Sequence, residues 1–376
     1  MKKKLLFISL ACVSAAPAFA QSSVTLYGII DAGLTYVNNT GGHSVFETQS
    51  GVAQGSRWGL RGAEDLGGGL KAIFTLENGF NTFNGGLGQG KRLFGRQAYV
   101  GLSSDQWGAL TLGRQYDPVV DFVQPTTMNG SWGAYFSHAG DIDNTDNGFR
   151  VNNSVKYVSP SMAGLKFGAL YAFGGAAGNF RQNSTISAGA SYSNGNLYLG
   201  AAYFYARNPA TQFDDGNFVA NPTTPGVPVN AGAYGYVGNP YNMQVIGAGA
   251  TYKIGAALLG VNYTNVKFDK ALGTSQSAKF NNYELWGSYS LTPMLTVAIG
   301  DTYTRGNLGY SSDVPAYNQV NGVVDYALSK RTDVYLMAIY EKAFGGANAA
   351  IYNGFIGAPS STPTQIATRI GIRHKF

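Results

Sequence analysis

In segment after segment of this chain, apolar side chains recur at every second residue. Successive side chains of a β-strand point to opposite faces, so a period of two gives each segment one greasy side and one polar side. Over 24–36, Val24, Leu26, Ile30, Ala32 and Leu34 share one face, and Thr25, Tyr27, Asp31 and Thr35 the other. The same alternation sets Ile186, Ala188, Ala190 and Tyr192 against Ser187, Gly189 and Ser191. It returns as Tyr283, Leu285, Tyr289 and Leu291 against Glu284, Ser288 and Ser290, and as Val320, Val324, Tyr326 and Leu328 against Asn321 and Asp325. In the final segment Ile366, Thr368, Ile370, Ile372, His374 and Phe376 oppose Ala367, Arg369, Gly371, Arg373 and Lys375, so there the polar side is cationic. One such strand suits a soluble sheet, whereas recurrence along the whole length calls for one large surface with two different solvents. Two stretches, near 93–102 and 335–340, are apolar on both faces. Either their second face meets protein, or the strand register is set wrongly there.

No stretch of the mature chain reads as a membrane-spanning helix. The nearest, 245–261, carries Thr251, Tyr252 and Lys253 in its middle, against the roughly 20 mostly apolar residues a helix needs. Any membrane crossing must therefore use strands. The beginning of the chain reads as an export signal: Lys2, Lys3 and Lys4, an apolar run from Leu5 to Ala16, then Ala18-Phe19-Ala20 as a cleavage site. Residues 1–20 are accordingly expected to be a signal peptide and 21–376 a single domain. The one cysteine, Cys12, falls inside that leader. Acylation there would leave a short apolar run and an unused Ala-x-Ala site, so the mature chain is read as free of thiols. Disulfides and thiolate metal sites are excluded, and no metal or cofactor is expected. Without the three leader lysines, 23 basic residues face 20 acidic ones, too mild an excess to suggest nucleic acid. The 52 glycines suit turns and crowded strand faces; the 25 tyrosines and 21 phenylalanines suit strands and membrane interfaces. Tyr27, Tyr36, Phe167, Tyr171 and Phe173 are candidates for such interface girdles.

Connection lengths alternate as well. Short turns rich in Asn, Asp, Gly, Pro and Ser stand at 64–67, 103–106, 159–162, 193–196, 291–293 and 329–332. Between them lie long polar stretches near 37–55, 81–91, 116–149, 208–241 and 343–364. Short turns at one end and long loops at the other describe an antiparallel outer-membrane barrel, here of about 16 strands. The barrel must close, because lipid cannot satisfy an unpaired backbone edge. The fold class expected is thus all-β, a transmembrane antiparallel barrel whose polar inner face encloses water.

Several runs carry a family resemblance. Ser23-Val-Thr-Leu-Tyr-Gly28, Ser56-Arg-Trp-Gly-Leu-Arg-Gly62 with Glu64-Asp-Leu-Gly-Gly-Gly-Leu70, Phe94-Gly-Arg-Gln-Ala-Tyr-Val-Gly-Leu102, Thr111-Leu-Gly-Arg-Gln-Tyr116 and Gly371-Ile-Arg-His-Lys-Phe376 resemble the general-diffusion porins of Gram-negative bacteria, β-proteobacterial branch. The resemblance covers 23–376. It implies a sixteen-stranded barrel, a homotrimer in outer-membrane lipid, and a third loop folded into the lumen. It also implies that the terminal aromatic, Phe376, is recognised by the outer-membrane assembly machinery.

The resemblance makes the site a constriction rather than a catalyst. The stretch between Arg114 and Arg150 lacks a dyad and becomes the inward loop, with Asp141, Asp143 and Asp146 as its acidic row. Arg57, Arg96 and Arg150 stand where related porins carry the basic cluster of the wall, and Arg114 is a fourth candidate. Alternation independently turns Arg57 away from Trp58 and Leu60, and puts Arg150 on one face with Asn152, Ser154 and Lys156. Lys71 and Glu77 should also face the lumen, opposite Ala72, Phe74 and Leu76. Opposed rows of fixed charge favour ions and small hydrophilic solutes, and leave the sign of selectivity open. The same charges could instead be salt bridges that hold the loop to the wall. An enzyme is not expected: His43, His138 and His374 form no local motif with a serine and read as solvated. A substrate-specific channel, an adhesin or receptor using the loops at 208–241 and 343–364, and a soluble secreted β-protein are the remaining rivals.

Overall fold

The computed structural model describes residues 23–218, 229–352 and 355–376; the expected leader lies outside the described residues. The chain pairs its strands in sequence order. The first eight segments are β1 (Ser23–Thr40), β2 (His43–Ser50), β3 (Arg57–Gly67), β4 (Leu70–Gly79), β5 (Gln97–Ser104), β6 (Gly108–Gln115), β7 (Val151–Val158) and β8 (Leu165–Ala172). Then follow β9 (Thr185–Asn194), β10 (Leu197–Arg207), β11 (Asn242–Ile254), β12 (Ala257–Asp269), β13 (Ala278–Ser290), β14 (Leu295–Leu308), β15 (Ala316–Ala327), β16 (Thr332–Phe344) and β17 (Thr364–Lys375). All pairings are antiparallel, and β1 closes the sheet against β17, from Ile29 opposite Lys375 to Val37 opposite Ala367. Segments β2 and β3 lie end to end along β1, which pairs with β3 through Ser23–Ile29 and with β2 from Ala32 onward. Counted as one stave, they make a closed barrel of sixteen.

A buried network fixes the seam. Arg369 on β17 lies 3.1 Å from Asp31 on β1 and donates to the Tyr335 hydroxyl at 2.9 Å and to Thr35 at 3.0 Å. Phe376 completes the pairing, exchanging backbone hydrogen bonds with Gly28 at 3.0 Å each. Removing one partner of a buried, hydrogen-bonded ion pair costs about 3–5 kcal/mol, so this cluster holds first and last strands in one register.

The alternation read from sequence is the alternation of the wall. Val24, Leu26, Ile186, Leu285, Val320, Ile370 and Ile372 are exposed on the outside, while Asp31, Thr35, Ser187, Glu284, Asn321 and Arg369 are buried within. Tyr27 departs from its expected girdle role: it shares the inward face of Thr25 and Asp31 and donates to Glu77. The stretch 37–55 is not a long loop. Gly41 and Gly42, at φ of 62° and 100°, make a two-residue turn between β1 and β2, a conformation that glycine adopts without Cβ strain. The apolar stretch 245–261 is a hairpin, β11 and β12 joined at Gly255-Ala256.

The connection between β6 and β7, third from the start at its end of the barrel, makes its contacts with inward-facing wall residues. Tyr198 donates to the Phe122 carbonyl, Trp286 to that of Thr126 at 2.9 Å, and Gln319 to that of Tyr135 at 2.9 Å. Glycines in the wall let it approach: a Cβ on Gly200 would stand 1.8 Å from the Phe122 oxygen. The two-sided apolarity at 335–340 has the same origin, since Tyr335, Met337 and Ile339 are buried against this connection and against Ile351. The stretch 93–102 is different, because Leu93–Arg96 precede β5 and are not strand. Much of the inner face therefore packs on protein instead of enclosing water.

Candidate functional site

A cavity of about 570 Å³ remains between the uncovered wall and the loops. Its basic side is built on β3 and β4 and on the residues next to β5 and β6. Alternation along β4 turns Glu77 inward with Thr75 and Lys71, and pairing sets Arg57 opposite Gly79. The Glu77 carboxylate accepts from Arg96 Nε at 2.7 Å, from Tyr116 at 2.9 Å and from Tyr27 at 2.9 Å. Arg57 stands 3.9 Å from the same carboxylate. Arg96 also donates to the Tyr116 hydroxyl at 2.9 Å. The guanidinium carbons of Arg96 and Arg150 lie 5.9 and 5.8 Å from the Tyr116 ring centre, within cation–π range. One carboxylate and one phenol thus hold three arginines at the cavity edge.

The structure brings together Arg57, Arg96, Arg150, Glu77 and Asp146, and separates the rest. Arg114 is turned behind the cavity, donating to the Gly95 carbonyl at 2.7 Å, to Asn152 at 2.6 Å, and to Asp215. Lys71 shares the face of Glu77 but sits at the turn end of β4, six residues or about 20 Å along the strand. Asp141 and Asp143 are buried and do not form a row facing the wall arginines. Asp141 closes its own turn, accepting from the Asp146 and Gly148 amides at 2.8 Å each. Burial, with Asp146 and Asp143 nearby, pushes its carboxyl well above the usual range.

Asp143 instead meets His138, whose Nδ1 is 2.5 Å away, and accepts from Thr264 and Asn282 of the wall. On the other side of the ring, His138 Nε2 stands 3.4 Å from Glu284, which accepts the Met128 amide at 2.8 Å. Burial by itself would lower the His138 pKa, but the flanking carboxylates Asp143 and Glu284 raise it to about 10. His138 is therefore a buried cation in a clasp, not a solvated side chain. Asp146 alone of the three acids lines the cavity; burial raises its pKa to about 6 against the hydrogen bonds of Asn129 and Tyr352.

Four further residues line the cavity and were not singled out by sequence. Arg373 and Lys375 enter from β17, Asp215 from the connection after β10, and Tyr352 from the connection after β16. The first pair was visible as the cationic side of the final strand. The others had no signal, because a loop has no period to aim its side chains. Their presence corrects the surface reading of 208–241 and 343–364: among the described residues Phe213, Tyr234, Ala349 and Ile351 are buried, and Asn217 donates to the Gly140 carbonyl at 3.1 Å.

Known proteins resemble this chain in sequence and in fold. A family model described as Gram-negative porin matches residues 8–343. An outer membrane porin protein of Bordetella pertussis is 32% identical, and the two chains align over 100% of each. The solved anion-selective porin from Comamonas acidovorans superposes with a TM-score of 0.73 at 26% identity, covering 95% of this chain and 100% of that one. OmpT of Vibrio cholerae, solved in a trimer form, superposes with a TM-score of 0.68 over 94% of this chain and 99% of its own, at 15% identity, and so shares the fold.

Proposed function

The chain belongs to the Gram-negative porin family, an outer-membrane channel for passive diffusion, and from that premise we propose that its cavity is an anion-preferring constriction. The observation that carries this reading is charge balance. Arg57, Arg96, Arg150, Arg373 and Lys375 line the cavity with Asp146 and Asp215. Asp215 is paired with Arg114, Glu77 offsets one charge of Arg57 and Arg96, and Asp333 pairs with Arg373. That leaves Arg150 and Lys375 without an ion-pair partner among the described residues, against Asp146. The anion selectivity named for the Comamonas porin points the same way.

The arginines work because they stay charged and hold their donors in a fixed plane. A hydrated anion exchanges part of its water shell for guanidinium N–H groups at the wall, then moves to the next one. Conduction needs several weak sites in place of one strong one, and a row spread over β3, the residue before β7, and β17 supplies them. Asp146 across the gap adds a transverse field that orders water and hinders apolar solutes. Small hydrophilic solutes and ions pass unaltered. Three such barrels would associate in lipid, and the Phe376 strand would be the handle for the assembly machinery.

Reversal potential across a salt gradient in a planar bilayer tests the constriction. The unmodified channel should favour the anion, and Arg57→Ser with Arg150→Ser should lower the anion-to-cation permeability ratio roughly tenfold, as loss of two charges at close range implies. An unchanged reversal potential would refute the assignment.

A further inference from the structure

The outside of the barrel carries an ordered arrangement on β12, β13 and β14 that solute passage does not use. Tyr263, Tyr283 and Tyr303 stand side by side in register across these strands, all exposed outward, with the first two rings 5.1 Å apart. A row of tyrosines on a barrel exterior marks the boundary between hydrocarbon and headgroups. Two residues nearer the long loops, about 7 Å beyond that row, come Asn265, Asn281 and Arg305, again in register. Two more bring Lys267, Lys279 and Asn307. Three cations thus gather on the membrane-facing surface at headgroup depth.

Like charges facing each other across a ladder destabilise a sheet, and Lys267 is directly opposite Lys279. Lys267 is relieved by Asp269 at 2.7 Å. The Lys279 and Arg305 side chains are exposed and have no ion-pair or hydrogen-bond partner among the described residues. The nearest outward acid on β14, Asp301, lies on the far side of the tyrosine row and is held by Asn318 at 3.0 Å. Between the strands is a cleft of about 240 Å³ lined by Asn281, Tyr283, Arg305 and Asn307, with Val314 at its edge. Asn281 Oδ1 accepts from Tyr263 at 2.8 Å and from Asn265 at 2.9 Å, which leaves its NH2 as a free donor beside the cations.

We propose that Lys279 and Arg305, with Asn281 between them, hold the phosphate of an anionic lipid headgroup in the leaflet on the long-loop side. Arginine offers planar paired donors to phosphate oxygens, lysine a point charge, and the cleft accepts the sugar or glycerol that bears the phosphate. The acyl chains then run down over Tyr283 and Leu285 toward the bilayer centre. A protein partner is disfavoured by the single sign of the free charges.

Native mass spectrometry of the folded, detergent-solubilised protein tests this with three probes: a lipid with two phosphomonoesters on a diglucosamine headgroup, its dephosphorylated form, and inorganic phosphate. The phosphorylated lipid should be retained, and Lys279→Gln with Arg305→Gln should weaken that retention about thirtyfold, while the dephosphorylated lipid is unaffected. Equal retention by the double variant overturns the proposal. So does retention of inorganic phosphate at the concentration that loads the lipid, which would mark a free-anion site, or loss of oligomers with lipid adducts unchanged, which would mark a protein contact. If the variant fails to fold, judged by heat-modifiable mobility, salt decides on the unmodified protein. Added salt must strip the phosphorylated lipid and spare the dephosphorylated one; indifference to salt overturns the proposal.

Discussion

Two charged clusters share the inside of this barrel and face opposite surroundings. Around Glu77, the arginines Arg57 and Arg96 and the ring of Tyr116 edge a cavity, and in the proposed constriction their charges would act on whatever passes. Around His138, the carboxylates of Asp143 and Glu284 are sealed between loop and wall, so their charges act only on each other. The ingredients are alike, an ion set with hydrogen bonds. What differs is whether one side is left to water. A charge facing water is available to a solute, whereas a charge facing protein must find its partner in the fold or cost several kcal/mol.

The largest consequence of that difference is mechanical. His138→Ala leaves two buried carboxylates without their cation and should cost about 3–5 kcal/mol, seen as a lower thermal midpoint and as protease cutting within 138–146. An unaltered midpoint and an uncut loop would erase the distinction between the clusters. The clasp also has a direction in pH. His138 is raised from 6.5 to about 10, so its contribution is complete below about pH 6.5 and is lost as pH rises through about 10. Asp143 is lowered despite its burial, because His138 holds it ionised, so its share fades instead toward strong acid. Current noise should therefore grow in alkali and stay low at neutrality.

A second way to separate the clusters is steric. Gly200→Val puts a side chain where the Phe122 carbonyl sits and should cost about 1–3 kcal/mol, displacing the loop from the wall without touching an arginine. Conductance is expected to rise while the sign of selectivity holds; a channel of unchanged conductance would show that the loop does not set the bore. The smallest effect belongs to the cavity side. Asp146, raised to about 6, should lose its charge as pH falls from 7 to 5, increasing anion preference about threefold, and Asp146→Asn should abolish that dependence. A pH-independent ratio in the unmodified channel would take Asp146 out of the field.

Wall residues and loop residues were not equally legible. Glu77 and Arg57 could be placed from alternation alone, since a strand offers each side chain one of two directions. Asp141, Asp143 and Asp146 stand within six residues of one another, and nothing in that spacing tells which faces the cavity. Backbone at φ of 52° for Asp141 and 61° for Asn144 turns the chain between them, and those turns decide it.

By itself, the sequence determined the barrel: a period of two from Val24 to Ile372, short turns alternating with long connections, and no stretch of 21–376 that reads as a crossing helix. Each of those is a local property, written in neighbouring residues and enforced by lipid, which tolerates no open backbone edge. Only the tertiary structure decided that Tyr27 points inward, that Arg114 turns aside, that His138 is a clasp, and that Arg373, Asp215 and Tyr352 meet at one cavity. These choices depend on segments tens to hundreds of residues apart filling the same space, and packing, unlike alternation, leaves no period along the chain.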